Sequence, residues 1–491
     1  MPANYVNLLP IIFVALGALC TLAMEPFLKD ENKHKILPWV ATLFLALAAG
    51  SFAFAVPDTL YGILAMDPMR RLLGWTVIFC TFLGVGGVQT TLGRENYAGG
   101  EPYPLLLLAS VGALLMTQSI DFVSLFLGME LAAFPVYGLV GLRRKDYNAN
   151  EATFKYFVTN AVFSVVFLYG LSLIYGATGS SHFSASIIDG RIGLYYAGLV
   201  LVMFALLFKA GAAPVHFWVA DVYTGAPVAV TGFMAAVVKV GALAALGSVW
   251  LGAFVTRVGG AAAWNLAEPV KVGEVPAKLG VLLLVVAILS IVTGAFSGIA
   301  QKSIRRIFAF SAVMNAGFIT LGLLLPDYTG SAKVQLGPMY FFLITYALGS
   351  AGALAGISSL SGKDDALETL DSLRGRARRK PLEGFAIVVC LASLAGLPPA
   401  AGFLAKFTLF ADLFSAGWVI TGVVGFALSI VAIFYYIRVA AVLFAPASEE
   451  ERNKPYVYGD MRKFLLRLGI TVAALALFFL GVIPGSFMLL G

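Results

Sequence analysis

The sequence predicts an all-α polytopic membrane protein, and three observations carry that prediction. Hydrophobic residues make up 60% of the 491 positions and charged residues only 12%, about half the charge a soluble protein uses to cover its surface. Fourteen apolar runs follow one another, nearly all of them long enough to cross about 30 Å of hydrocarbon. Between them lie short polar or Gly/Pro-containing stretches, none of which could hold a soluble domain. The mean hydropathy of +0.91 agrees. A net charge of +7 is small for this length and gives no reason to expect nucleic acid as a partner.

In chain order the runs are 5–26, 36–55, 70–92, 103–118, 121–142, 152–177, 192–210, 225–249, 279–300, 304–325, 336–360, 382–409, 416–445 and 464–489, the fourth being the shortest. They are read as a single transmembrane domain over 1–491. Three N-terminal spans lie within 1–102, two groups of five spans occupy 103–249 and 279–445, and the last span is 464–489. The arginine pairs at the starts of spans 3 and 10 are counted with the loops they adjoin. The odd-numbered loops then hold 20 Lys and Arg, the even-numbered loops 7, and the spans themselves 6. The positive-inside rule places the odd loops in the cytoplasm and both termini outside. No cleavable leader is read, because the first apolar run lacks a basic segment before it. Cys20, Cys80 and Cys390 are scattered and suggest neither disulfides nor a cluster. No Rossmann glycine fingerprint, P-loop or haem motif is found, so any redox or nucleotide chemistry belongs to another chain.

The six cations inside spans are Lys155, Lys209, Lys239, Lys406, Arg438 and Arg467. Lys155 and Arg467 lie near span ends, where long side chains can reach the interface. Lys239 and Lys406 lie deep in apolar sequence, and Glu130 is their acidic counterpart. An ionised group at mid-membrane costs at least about 2.5–3.5 kcal/mol. Buried ion pairing explains Glu130 with one lysine and leaves at least two lysines unpartnered. A lysine withdrawn from water can lose and regain its proton near neutral pH, which an arginine cannot. Glu130, Lys209, Lys239 and Lys406 are therefore the candidate proton-transfer groups.

Two spans are broken beside these lysines. Gly211 and Pro214 interrupt span 7 just after Lys209, and Gly396, Pro398, Pro399 and Gly402 interrupt span 12 just before Lys406. Proline frees backbone carbonyls that need water or polar groups. Two broken spans, five spans apart, predict two inverted five-helix repeats, spans 4–8 and 9–13, with ion sites near the midplane. His216 and Asp221 flank the first break, and His216 is a candidate relay. His34 and His182 are read as solvated loop residues. Nothing in the histidine spacing points to a metal.

These residues carry a family resemblance over essentially the whole length. The group marks are Leu-Gly-x-Glu-Leu around Glu130, Lys209 followed by Pro214-x-His216-x-Trp218, Lys239 on the next span, and LAGLPPAAGFLAKF ending just after Lys406. The chain resembles the antiporter-like membrane subunits of proton-pumping NADH:quinone oxidoreductase (respiratory complex I), a group shared with multisubunit sodium/proton antiporters. EATFKYF at 151–157, DVYTGAP at 221–227 and LDSLRGRARRKP at 370–381 resemble the N-type branch.

The resemblance implies that Glu130 and Lys209 form a modulating pair, that Lys239 is the central proton carrier and Lys406 the outlet, and that Lys155 belongs to the polar axis. It implies a bacterial inner (plasma) membrane location, with membrane-arm subunits, a peripheral electron-transfer arm and lipid as partners. NADH, FMN, iron–sulfur clusters and quinone would be held elsewhere, with no cofactor in this chain. A unit charge about 7 Å away acts with about 2–3 kcal/mol at an effective dielectric near 20, enough to switch a poised lysine. One departure stands out: Asn315 occupies a position where the family usually has a titrating histidine. The alternatives are a subunit of a sodium/proton antiporter or of a proton-pumping membrane hydrogenase or dehydrogenase.

Overall fold

Apolar runs become helices in lipid because the hydrocarbon offers the backbone no other hydrogen-bond partners. The computed structural model describes residues 5–94, 97, 99–254, 270–271, 277–324, 333–334, 336–360, 369–447 and 464–483. The end of the last apolar run (484–489) and most of the loops at 255–269 and 448–463 lie outside the described residues.

The first seven helices are α1 (Leu9–Met24), α2 (Asp30–Ser51), α3 (Pro68–Arg94), α4 (Pro102–Gln118), α5 (Phe122–Val140), α6 (Tyr147–Thr178) and α7 (Ile192–Ala210). The short helices α8 (Val219–Gly225) and α9 (Val228–Phe233) follow, and then α10 (Lys239–Phe254). The rest are α11 (Ala277–Ala300), α12 (Ile304–Leu321), α13 (Gly337–Leu360), α14 (Arg376–Arg379), α15 (Pro381–Ala395), α16 (Ala401–Ser415), α17 (Val419–Phe444) and α18 (Phe464–Val482). Among the described residues, twelve segments are long and apolar enough to cross a membrane, while α4 and α15 are shorter apolar helices. The breaks fall where the sequence places them, between α7 and α8 and between α15 and α16.

Burial separates a centre from a rim. Every residue of the apolar windows in Val228–Ala253 and Gly337–Leu360 is buried, against 22% in Tyr147–Thr178. The centre thus comprises α9, α10 and α13, joined by α12, and this is where charges are costliest. Small residues let neighbouring helices approach closely. A Cβ on Gly112 of α4 would lie 2.2 Å from the Ala132 nitrogen of α5, so only glycine fits there.

Loops alternate between two faces. On one face, the hairpin of β1 (Asp58–Leu60) and β2 (Leu64–Met66) turns at Tyr61 and Gly62, both at positive φ. It bridges to Ser119, and Asp121 bridges to His182. On the opposite face Lys33 pairs with Glu25 at 2.7 Å, the Gly100 amide donates to the same carboxylate, and Glu101 pairs with Arg144. The basic loop at 370–381 is spent largely on helix ends. Arg376 donates to Leu360 O, Lys380 to Ser359 O and Arg378 to Phe444 O, placing cations on the carbonyl ends of α13 and α17, where the helix dipole favours them.

His34 corrects the sequence reading. It is not a solvated loop residue but lies inside α2, 5% exposed, with Nδ1 bonded to the Tyr103 hydroxyl and Nε2 to the Tyr97 carbonyl. The cluster LKDENKHK reads as a loop by polarity, yet Tyr103 and Tyr97 supply partners that a local pattern cannot reveal. His182 is 47% exposed, as expected for a loop.

Candidate functional site

The acid of the site sits on α5, capped by Asp121, whose carboxylate accepts from the Val123 and Ser124 amides. Glu130 is partly buried and accepts from Ser164 Oγ of α6 at 2.5 Å. Lys209, 2% exposed in the last turn of α7, donates to the Met129 carbonyl at 3.4 Å. The lysine therefore reaches the residue beside Glu130, and among the described residues no carboxylate oxygen comes within 4.0 Å of its ammonium. The acid and the lysine are neighbours with separate partners.

Gly211 ends α7 at φ +70°, and its amide returns to Phe208 O. Side chains answer the break at two points. The Ala213 amide donates to Ser290 Oγ at 2.8 Å, and Trp218 Nε1 donates to Phe208 O at 3.1 Å. Behind Gly211 lies the ammonium of Lys239: a Cβ on Gly211 would stand 3.3 Å from Lys239 Nζ.

Lys239 is 1% exposed and donates to the Ala312 carbonyl of α12 at 3.0 Å. It immediately follows a π-helical turn, Met234–Val238, a local widening frequent at functional sites. One turn beyond Ala312, Asn315 Nδ2 donates to Ser311 O at 2.8 Å and lies 3.3 Å from the Tyr436 hydroxyl. Ser311 and Tyr436 are themselves hydrogen-bonded through their hydroxyls. Asn315 Oδ1 is buried with no partner among the described residues, an acceptor that a water would satisfy.

The second break repeats the first. Gly396 ends α15 at φ +79°, Ser393 Oγ accepts the Gly402 amide at 3.1 Å, and a Cβ on Gly396 would stand 3.2 Å from Lys406 Nζ. Lys406, 5% exposed, donates to Leu394 O at 3.1 Å and Ala395 O at 3.0 Å, the carbonyl end of α15. Its ammonium also lies 5.6 Å from the centre of the Phe318 ring. Ala312, Asn315 and Phe318 are three residues apart on α12, so one helix face runs from Lys239 towards Lys406.

The other candidates lie off this line. Lys155 is 43% exposed and forms ion pairs with Glu151 at 2.7 Å and Asp221 at 2.8 Å. His216 is half-buried in the first break, its Nδ1 without a partner among the described residues. Arg438 caps the end of α11 by donating to Ile299 O and Gln301 O, and Arg467 of α18 pairs with buried Glu383 at 2.8 Å. Sequence reading missed Ser164, the π turn, and two buried arginines near span ends. Arg70 pairs with Asp67, and Arg305 donates to Ala226 O of the DVYTGAP segment at 2.9 Å. Among the described residues no three His, Cys, Asp or Glu side chains gather as metal ligands.

Comparison with known proteins adds to this geometry. The family model described as NADH:quinone oxidoreductase/Mrp antiporter, transmembrane, matches residues 119–255 and 245–432. The chain is 31% identical to the NADH-quinone oxidoreductase subunit N of Myxococcus xanthus (strain DK1622), with 99% of this chain and 96% of that protein aligned. Among solved structures it is similar to a chain of respiratory complex I from Thermus thermophilus with bound Aureothin. The TM-score is 0.78 and the identity 30%, with 97% of each chain covered. A chain of the Mrp complex from Dietzia sp. DQ12-45-1b has the same fold, with TM-score 0.78, 20% identity, and 99% and 96% covered.

Proposed function

The chain belongs to the NADH:quinone oxidoreductase/Mrp antiporter family of membrane subunits, and from that premise we propose that it is the N-type, proton-translocating subunit of a bacterial NADH:quinone oxidoreductase. The observation that carries the reading is the repeated break. At each one a left-handed glycine backs onto a buried lysine ammonium whose hydrogen bonds go to backbone carbonyls rather than to carboxylates. A carbonyl steadies an ammonium without adding a counter-charge, so such an amine can hand on its proton without leaving an anion behind. The matched breaks also support two inverted repeats, spans 4–8 and 9–13.

In this reading Lys239 holds the transferable proton and Lys406 passes it outward. Glu130 is held by Ser164; released from its acid, Lys209 pushes the proton on Lys239 towards Lys406, and a unit charge about 7 Å away acts with about 2 kcal/mol at an effective dielectric near 20. Between Lys239 and Lys406, Asn315 orients water rather than titrating. Lys155, paired with Asp221, acts at the edge of the axis. Flavin, iron–sulfur and quinone chemistry belongs to the peripheral arm and other membrane-arm subunits, and both termini lie on the outer side.

The test is Lys239→Ala in the assembled complex in proteoliposomes. Proton translocation coupled to NADH oxidation should fall at least tenfold, and normal pumping would sink the proposal. The antiporter alternative predicts a native assembly without flavin or iron–sulfur chains, which co-purification decides.

A further inference from the structure

Between α16 and α17 lies a groove of about 550 Å³, with Lys406 and Gly396 in its lining, a volume within the range of about 300–1,000 Å³ that small-molecule sites occupy. Phe403, Phe407, Phe410 and Phe414 recur at intervals of four, three and four and so share the face of α16 that walls it. Phe426 and Ile430 of α17 line the other wall. Phe407 is 59% exposed and Phe426 54%, so the groove opens on the bilayer. Further in, Phe410 meets Phe426 and Phe318 edge to face, each at 5.9 Å, and Phe318 is the ring beside the Lys406 ammonium.

An apolar groove that ends on a charge suits an amphiphile of the opposite sign. Lys406 is 5% exposed, and of the three N–H donors of an ammonium two go to Leu394 O and Ala395 O. The third has no partner among the described residues, and no carboxylate oxygen among them lies within 4.0 Å. Depth in the bilayer selects the anion. Lys406 stands nine residues before Ser415, the end of α16, a rise of about 14 Å, near the middle of about 30 Å of hydrocarbon. The phosphate of a lipid headgroup stays at the interface, whereas a fatty acid sheds its charge by taking up a proton and enters hydrocarbon as the neutral acid.

We propose that this groove binds a long-chain fatty acid, its carboxylate on Lys406 and its tail along the phenylalanine stripe, and that the bound acid brakes proton transfer. The neutral acid gives its O–H proton to the Lys406 amine, leaving carboxylate and ammonium joined by a charge-assisted hydrogen bond; no other bond forms or breaks. Where Lys406 already carries its proton, the ionised acid pairs with it directly. Either way a counter-charge holds the ammonium, and Lys406 no longer hands its proton on. The brake rests on the proton-translocating reading above; the binding site does not.

The experiment uses the assembled complex in phosphatidylcholine liposomes, with gramicidin present so that proton carriage by free acid does not matter. The probes are palmitic acid bearing a photoreactive diazirine and the matching fatty alcohol. After illumination, mass spectrometry should find the α16 and α17 peptides labelled at least fivefold more by the acid than by the alcohol, and excess palmitic acid should displace the label. Palmitic acid should also slow NADH oxidation. Val423→Trp sets a larger side chain in the groove lining and should raise the half-inhibiting concentration at least fivefold, and Ile430→Trp covers a failure of that variant to assemble. Phe434→Trp, at a residue of α17 that is 67% exposed and outside the lining, should leave it unchanged. Equal labelling by acid and alcohol means that the groove takes any chain, and no labelling means that a neighbouring subunit covers it; either overturns the site. Acid-selective labelling with the same inhibition in parent and Val423→Trp overturns the brake. Normal pumping by Lys239→Ala would fell the proton reading, while acid-selective labelling would still establish the site.

Discussion

Replacing Gly211 with alanine tests whether the bare Cα at the first break is there for the lysine behind it. At φ +70° any L-residue meets a left-handed backbone penalty of about 1–2 kcal/mol. The new Cβ would also lie 2.8 Å from Val219 Cγ2 and 3.3 Å from Lys239 Nζ, and such overpacking costs a further ~1–3 kcal/mol. Gly179 supplies the control, because it too sits at φ +70° but a Cβ there meets nothing within 4 Å. Gly179→Ala therefore carries the backbone penalty alone. The difference between the variants, about 1–3 kcal/mol, isolates the push on Val219 and Lys239. Both would be assembled into the complex, reconstituted in liposomes, and assayed for protons moved per NADH and for the half-time of thermal inactivation. Gly179→Ala should keep the parent's proton ratio with a modestly shorter half-time. Gly211→Ala should lose most of its pumping. Equal proton ratios in the two would refute the argument that Lys239 depends on that gap.

The same contact predicts that Gly396→Ala, whose Cβ would lie 2.8 Å from Lys406 Cδ, lowers pumping as Gly211→Ala does, read in the same liposomes. Lys209→Arg should assemble yet pump poorly, because a guanidinium does not release its proton; a full proton ratio would contradict a titrating role. Ser164→Ala removes the donor to Glu130, a bond to a charged group of about 1.5–3 kcal/mol, and should slow coupled turnover several-fold, with Glu130→Asp milder than Glu130→Ala. Arg467→Met leaves the Glu383 carboxylate, 6% exposed, without its partner. With Arg467 partly exposed, the cost should be about 1–3 kcal/mol, seen as faster thermal inactivation that Glu383→Gln in the same chain partly restores.

Much of this protein is legible residue by residue. Hydropathy sums along the chain, so the membrane class and the helical segments follow from local composition. A charge in an apolar run is conspicuous wherever the run ends up, which is why Glu130, Lys209, Lys239 and Lys406 stand out. Glycine and proline act on their own backbone, so both breaks are visible too.

Partners are another matter, because a polar atom's partner depends on which strand of chain is folded against it. Lys239 bonds to Ala312 O, 73 positions away, and Lys209 to Met129 O, 80 positions away. Only the packed bundle puts Gly211 against one ammonium and Gly396 against another, or turns polar-looking His34 inward to Tyr103. It also draws Arg305 to the DVYTGAP carbonyl and leaves Lys155 half exposed between two acids. Backbone carbonyls look alike in any sequence, and which of them faces a lysine is settled by three-dimensional packing alone.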